Sequence, residues 1–91
     1  MKIRFEKTFA KDVDKIRDKS VLKKLRVVIS TIESTDLVQN IPNLKKIEGY
    51  TSFFRVKLGD YRLGLQMSRK EVVFVRILHR KDIYRHFPKK D

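Results

Sequence analysis

The chain contains no cysteine and no tryptophan, and it has only two prolines, three glycines and two histidines among its 91 residues. Without cysteine there is no disulfide framework, no thiolate nucleophile and no cysteine-based metal site. This composition fits the reducing cytosol, and we expect a cytoplasmic protein. Because His79 and His86 have no carboxylate cluster at ligand spacing beside them, we expect neither a metal nor another cofactor.

Long apolar runs are also missing. Residues 1–9 alternate charged and apolar side chains instead of forming the apolar core of a signal peptide. No apolar stretch reaches the length that spans a membrane. We therefore expect neither secretion nor a membrane partner.

Positive charge is the property that the chain has in excess. It carries 23 Lys plus Arg against 11 Asp plus Glu, for a formal net charge of +12. Hydrophobic residues make up 41% of the chain, which suffices for one modest core. Such a charge density on a folded domain is typical of proteins that bind nucleic acid or an anionic membrane surface, so the expected partner is a polyanion.

Apolar periodicity predicts a single domain over residues 1–91 that begins with a strand and two helices. Alternation over Lys2–Glu6 predicts the strand. Spacings of three and four then predict a short helix with Thr8 as its N-cap and a second helix from about Ser20. The second helix should bury one apolar stripe, formed by Val21, Leu25, Val28 and Ile32.

The second half of the chain predicts three more strands. Residues 36–51 lose periodicity and are predicted to form an irregular connection. Strands are predicted at 52–58, 61–67 and 71–78, and a short helix at 82–87. The expected fold is therefore α+β, with two N-terminal helices packed on a four-stranded, mainly antiparallel sheet (βααβββ) and a short C-terminal helix.

The Gly59-Asp60 pair predicts a type II′ hairpin turn, because glycine at the first central position accepts a positive φ. This turn places Lys57 opposite Arg62 and Arg55 opposite Gly64, on the side of the sheet away from the helices. A three-residue loop at 68–70 would put Val73, Val75 and Ile77 in the core. It would send Arg76 and Arg80 to the outer side. We call this outer side the basic face, defined by Arg55, Lys57, Arg62, Arg76 and Arg80.

Like charges placed directly across a hairpin destabilise it, so the basic face is expected to bind something negative. By strand parity it includes no acidic residue, and Gly64 leaves a gap where a phosphate or sugar could approach the sheet. The alternative is that an exposed sheet face carries solvated Lys and Arg, which is the commoner explanation for any single position. A face selected only for solubility would mix both signs, which favours binding.

Two segments resemble a known family. Residues 54–63 read FRVKLGDYRL and residues 78–85 read LHRKDIYR. Together with the order of the elements, they resemble the RelE/ParE superfamily of bacterial and archaeal toxins, and RelE most. The resemblance implies an endoribonuclease that cuts messenger RNA in the ribosomal A site and is silenced by a cognate antitoxin. This sequence departs from the RelE pattern at Arg55, where lysine is usual, and in the shorter spacing between Arg80 and Tyr84.

The resemblance implies a site formed by Arg55, Lys57, Arg62, Arg80 and Tyr84, of which Lys57, Arg62, Arg80 and Tyr84 are the expected catalytic set. Strand parity adds Arg76 and Phe53 to the same face, and we expect Arg55, Arg76 and Phe53 to contact RNA. RNA can be cut without metal when its own 2′-OH attacks the adjacent phosphorus. Lys57 is the candidate base, because neighbouring cations disfavour a further positive charge and guanidinium groups do not deprotonate. Arg62 would stabilise the phosphate, Arg80 the leaving oxygen, and Tyr84 would stack on a base.

Several of these residues have an equally simple structural explanation. Tyr84 and Phe53 could instead pack the terminal helix onto the sheet. His79 has the pKa range of a general acid or base, but strand parity points it to the core, which favours a structural role. His86 forms part of no recognisable constellation.

Two other functions remain open at this point. A ParE-like toxin would bind DNA gyrase without cleaving RNA, and it shares the Arg80–Tyr84 segment with the RelE group. A nucleic-acid-binding module without catalysis would need only the charge.

Overall fold

Five strands and three α-helices follow one another in the computed structural model, which describes residues 1–88. Residues 89–91 of the predicted domain lie outside the described part. The elements are β1 (Lys2–Phe5), α1 (Lys7–Lys15), α2 (Lys19–Ser34), a 3-10 turn (Val38–Asn40), β2 (Leu44–Lys46), β3 (Phe53–Leu58), β4 (Tyr61–Met67), β5 (Glu71–His79) and α3 (Ile83–His86).

The sheet has five strands in the order β1-β5-β4-β3-β2, so the predicted four-stranded sheet is wrong by one strand. The α+β class is confirmed. Strands β2 to β5 pair antiparallel with one another, and β1 runs parallel to β5. The missed strand, β2, lies inside the predicted irregular connection. Three residues with one apolar side chain are too short to show a period, and the adjacent Lys45 and Lys46 are typical of an edge strand.

Helix α1 begins at Lys7, and its N-cap is Glu6 rather than the predicted Thr8. The Thr8 hydroxyl instead donates to the carbonyl of Val75, at 2.8 Å. This contact forms because β1 ends at Phe5, so that α1 lies along the continuing edge of β5. No helix among residues 1–88 is long and apolar enough to span a membrane.

Helix α2 is capped by Asp18, whose carboxylate accepts from the Ser20 backbone N–H at 2.9 Å and the Ser20 hydroxyl at 2.7 Å. The side-chain hydrogen bond from Ser20, followed by the backbone bond, lowers the pKa of Asp18. The stripe predicted for α2 is buried at all four positions. It packs against the helix-facing side of the sheet, formed by Val56, Leu58, Leu63, Leu65 and Met67.

The register of β5 differs from the prediction. Met67 pairs with Val72 and Leu65 with Phe74, and a β-bulge then shifts the register so that Gly64 pairs with Arg76. Phe74 is fully buried on the helix side, whereas Val75, predicted for the core, is only half-buried. Because a bulge adds one residue to one strand, it restores the predicted outward position of Arg76. Strict alternation cannot reveal such an insertion.

Phe87 fills the gap beside Gly64 that was expected to admit a phosphate or sugar. A Cβ built on Gly64 would lie 2.8 Å from two carbons of the Phe87 ring. Phe87 is 1% exposed, and Ile83 of α3 is fully buried. The absence of a side chain at Gly64 therefore serves to dock the end of α3 on the sheet.

We predict strong coupling between Gly64 and Phe87. Gly64→Ala should destabilise the fold by about 1–3 kcal/mol, because the methyl group and the ring cannot occupy the same space. Phe87→Ala removes a buried ring and should cost about 3–5 kcal/mol. In the Phe87→Ala background, Gly64→Ala should cost almost nothing. Urea unfolding of the two single variants and the double variant measures the coupling, and additive costs would contradict the proposed contact.

Candidate functional site

The outer side of the sheet presents two cross-strand rows of cations. In one row Lys45 pairs with Arg55, Arg55 with Gly64, and Gly64 with Arg76. In the other row Lys57 pairs with Arg62, as the hairpin turn predicted. Gly59 has a φ of +60°, which agrees with a type II′ turn at this position. Within residues 1–88, neither Arg55 nor Lys57 forms an ion pair with an acidic residue.

Three of the predicted catalytic residues, Lys57, Arg62 and Arg80, come together at the turn end of the sheet, and we call them the turn cluster. Arg62 Nη1 donates to the carbonyls of Gly59 at 2.7 Å and Tyr61 at 3.0 Å. The Arg80 backbone N–H donates to the Asp60 carbonyl at 2.7 Å. The turn thus holds the Arg62 guanidinium and the Arg80 backbone at the same end of the sheet as Lys57.

Strand parity predicts no acidic residue among those of the basic face, but acidic residues from outside the strands contact two of its arginines. Arg80 Nε lies 3.8 Å from Asp60 Oδ1, but both side chains are more than half exposed, and such pairs contribute little. Arg76 is different, because Asp12 of α1 binds it through two hydrogen bonds of 2.7 and 3.0 Å. Asp12 is 5% exposed and also accepts from the Ile77 backbone N–H at 3.1 Å.

Tyr84 lies in a different place, a groove of about 750 Å³ whose lining includes Phe53, Gln66, Arg76, Tyr84, Arg85 and His86. We call it the aromatic groove. Tyr84 is 58% exposed, so its ring is accessible for stacking. Phe53 is half-buried, and its ring packs edge-on against Phe87 and Tyr50 with centroids 5.4 Å apart in both cases.

The predicted site residues therefore form two groups. Lys57, Arg62 and Arg80 do not line the aromatic groove, and Phe53, at its far end, is four residues from Lys57 along β3. At the rise of an extended strand this corresponds to about 13 Å. The row of Arg55, Gly64 and Arg76 lies between the two groups, with the Phe87 ring against Gly64.

The two histidines occupy unlike environments. His79 pairs with Tyr61 on the helix-facing side, with ring centroids 5.8 Å apart, and its Nδ1 accepts from the Lys81 backbone N–H at 3.1 Å. These contacts agree with the structural role expected for His79. His86 lines the aromatic groove, although no partner for it was expected. Among residues 1–88, no three His, Cys, Asp or Glu side chains are grouped as metal ligands.

Sequence reasoning missed Asp12, Gln66, Arg85 and the place of His86. One signal for Asp12 was available, because it lies three residues after Phe9 and next to Val13 on the apolar stripe of α1. A carboxylate on such a stripe must be paired when it is buried. The partner, Arg76, could not be identified from the helix pattern, because that pattern does not show that α1 packs against β5.

The fold and the outer face define a small α+β domain with a strongly cationic side of its sheet. Residues 3–84 match the family described as the ParE toxin of the type II toxin-antitoxin system, parDE. The chain is also 34% identical over 89 residues to Toxin RelE3 of Methanocaldococcus jannaschii, covering 97% of this chain and 100% of that protein. The chain therefore belongs to the RelE/ParE superfamily of toxins of type II toxin-antitoxin systems.

Solved structures agree with this assignment. The RelB-RelE antitoxin-toxin complex from Methanococcus jannaschii matches with a TM-score of 0.80 and 32% identity, over 93% of this chain and 99% of that one. The archaeal RelE-RelB complex from Pyrococcus horikoshii matches with a TM-score of 0.70 and 17% identity, over 90% and 97% of the two chains. The second match shows the shared fold alone.

The opposition of Lys57 and Arg62 leads to a prediction about stability. Lys57→Gln should raise the free energy of unfolding by about 0.2–1 kcal/mol at low salt, because it removes a like-charge pair across the hairpin. The gain should shrink at high salt, where the repulsion is screened. Lys46→Gln, on β2 opposite Phe54, is the control and should show no such salt-dependent gain. Denaturant unfolding at two salt concentrations provides the measurement, and equal behaviour of the two variants would contradict the repulsion.

Proposed function

We propose that this toxin is an endoribonuclease that cleaves messenger RNA in the ribosomal A site, without a metal ion. The observation that carries the proposal is the turn cluster, in which Lys57 lies directly opposite Arg62 and Arg80 is held at the same end of the sheet. A base, a phosphate-binding guanidinium and a second cation are the groups that cleavage by the RNA's own 2′-OH requires. The likeness to a protein named as a RelE toxin favours the same activity.

The proposed reaction is an in-line transfer at one phosphate. Lys57, in its neutral form, accepts the proton of the 2′-OH as that oxygen attacks phosphorus. The bond from phosphorus to the 5′-oxygen breaks, and the leaving oxygen takes a proton from water while Arg80 neutralises its charge. The products are a 2′,3′-cyclic phosphate and a 5′-hydroxyl end.

Arg62 is well prepared to stabilise the pentacoordinate phosphate. Its Nη1 is held by the two turn carbonyls, and within residues 1–88 its Nε and Nη2 donate no hydrogen bond. The Nε and Nη2 edge of a guanidinium matches two oxygens of a phosphate. The turn thus fixes the orientation of the side chain and leaves the binding edge open.

The remaining predicted residues are proposed to hold the RNA on either side of the cut. Arg55 contacts the phosphate backbone between the turn cluster and the aromatic groove. Tyr84, exposed in that groove, stacks on a base, and Phe53 contributes the edge of its ring. The site therefore binds several nucleotides and cuts at one end of them.

Arg62→Ala and Arg80→Ala should each abolish most messenger RNA cleavage, because each removes a charge that stabilises the transition state. We expect a loss of about 10²-fold or more in rate, with the fold retained. Toeprinting of translating ribosomes measures cleavage, and circular dichroism measures folding. Arg69→Ala is the matched control, since it removes one exposed positive charge at the other end of β4 and should retain activity.

The same assay separates the other candidate functions. The matching family is described as a ParE toxin, which makes DNA gyrase the second candidate target. Codon-specific cuts that end in cyclic phosphates, and that disappear when the cut nucleotide lacks its 2′-OH, support the nuclease. Gyrase poisoning without RNA cuts would replace it with the ParE-like function. Binding to RNA or ribosomes with neither effect would leave a binding module.

We also propose that a cognate antitoxin, an acidic protein, binds this toxin, as RelB binds RelE in the complexes described above. A chain of net charge +12 attracts such a partner over long range.

A second groove, of about 470 Å³, lies between α2 and the turn that follows β3, and its lining includes Val27, Val28, Pro42 and Leu58. Val27 is 60% exposed, and Lys23 and Lys24 lie at the groove edge. Apolar contacts with a cationic rim suit an amphipathic acidic segment.

Val27→Glu should weaken antitoxin binding by about tenfold or more, because it removes apolar contact and adds a repelling charge. Ser30→Glu is the control, since it adds the same charge to an exposed position of α2 outside the groove. Titration calorimetry with the antitoxin encoded beside the toxin compares the two. Equal affinities would place the antitoxin elsewhere on the surface.

A further inference from the structure

Asp12 is the one acidic residue among residues 1–88 that is buried, and the fold gives it three hydrogen-bond donors. Arg76 Nε donates at 2.7 Å, Arg76 Nη2 at 3.0 Å, and the Ile77 backbone N–H at 3.1 Å. The bulge in β5 and the course of α1 past the strand edge bring these groups together. The Asp12 side chain is 4% exposed, and that of Arg76 is 22% exposed.

Stability alone gives a weak reason for this arrangement. Taking a carboxylate and a guanidinium out of water is costly, and well-packed apolar residues often replace such pairs without loss. The Ile77 N–H needs only one acceptor, which a neutral side chain would supply. A second role for the pair is therefore worth seeking at the exposed part of Arg76.

The ion pair uses one edge of the guanidinium and leaves the other open. Asp12 occupies Nε and one N–H of Nη2, so Nη1 keeps both of its donors. Arg76 lines both the aromatic groove and a depression beside Tyr61 and His79, whereas Asp12 lines only the depression. Asp12 thus holds the guanidinium from the side away from the groove.

We propose that Arg76 binds an RNA phosphate in the aromatic groove through Nη1, and that Asp12 is the positioning residue that fixes the guanidinium for this contact. This inference rests on the proposed RNA substrate. It adds a phosphate subsite on the Tyr84 side of the face, separate from the turn cluster where cleavage takes place. An arginine already held in one orientation loses less conformational entropy when it binds.

The sign of the charge makes the proposal testable. Asp12 cancels one positive charge of the basic face, so by net charge alone its removal should strengthen RNA binding. A positioning role requires the opposite. Asp12→Asn keeps an acceptor for the Ile77 N–H, but it sets an amide NH₂ against the guanidinium and releases Arg76.

The experiment measures binding of a short 2′-O-methylated RNA, which lacks the nucleophile, to the full chain over a range of salt. Asp12→Asn should bind about tenfold more weakly. The slope of log affinity against log salt should also become shallower by about 0.7, as one phosphate contact is lost. Asp14→Asn, an exposed position on the same helix, adds the same net charge and should bind as tightly as the natural protein or more so.

A second variant separates positioning from charge. Arg76→Lys keeps the positive charge, but its ammonium group cannot donate two hydrogen bonds to Asp12 and also bind a phosphate as the flat guanidinium does. It should match the loss in Asp12→Asn, and the double variant should bind no more weakly than either single variant. Unchanged or tighter binding by Asp12→Asn, or independent losses in the double variant, would overturn the proposal.

A measurement on the natural protein covers the case in which the variants fail to fold. The NMR signals of the Arg76 guanidinium should shift at Nη1 when the methylated RNA is added, while the Nε–H to Asp12 is retained. Absence of any shift at Arg76 during saturable binding would contradict the contact. Because binding and cleavage are measured separately, RNA binding through Arg76 without cleavage would refute the proposed nuclease but leave this subsite intact.

Discussion

The two-residue turn at Gly59-Asp60 is the constraint on which the rest of the structure depends. With side chains alternating along each strand, the register that it fixes decides at once which residues enter the core and which form the outer face. Shifting this register by one residue would bury Arg55 and Lys57 and expose Val56 and Leu58. The apolar core therefore enforces the unfavourable juxtaposition of Lys57 and Arg62. Packing energy from one side of the sheet stabilises a concentration of charge on the other.

The bulge in β5 has a comparable effect on the other half of the site. Upstream of it, β5 pairs with β1 on one side, and Phe74 fills the core between the helices and the sheet. Downstream, α1 replaces β1 at the strand edge, and its Thr8 and Asp12 side chains take up the hydrogen-bonding groups of Val75 and Ile77 that a strand would have paired. Arg76 is consequently joined to a helix as well as to a sheet.

The spacing of apolar residues was sufficient to predict the elements with a clear period. It was insufficient where the chain departs from a regular repeat. The α2 stripe, the β3 to β4 register and the outward positions of Arg55, Lys57 and Arg62 could all be predicted, because each follows from a repeat or from turn chemistry. The strand β2 has too few residues for a repeat, and the bulge at Val75 breaks one. The Asp12 to Arg76 pair spans 64 positions, and no local rule connects residues so distant in sequence.

Gly64 does leave a gap beside the sheet, but the group that fills the gap is not the one expected. The glycine was expected to leave space for a ligand, and the structure fills that space with Phe87 from the same chain. The ring lies between the turn cluster and the aromatic groove, in the row of Arg55 and Arg76. The ring is 1% exposed, so it is closed to solvent and serves packing rather than binding. A glycine that accommodates a buried ring and a glycine that admits a ligand look the same in the sequence, because both positions require only that no side chain is present. The tertiary fold, which brings Phe87 against β4, is what distinguishes the two cases.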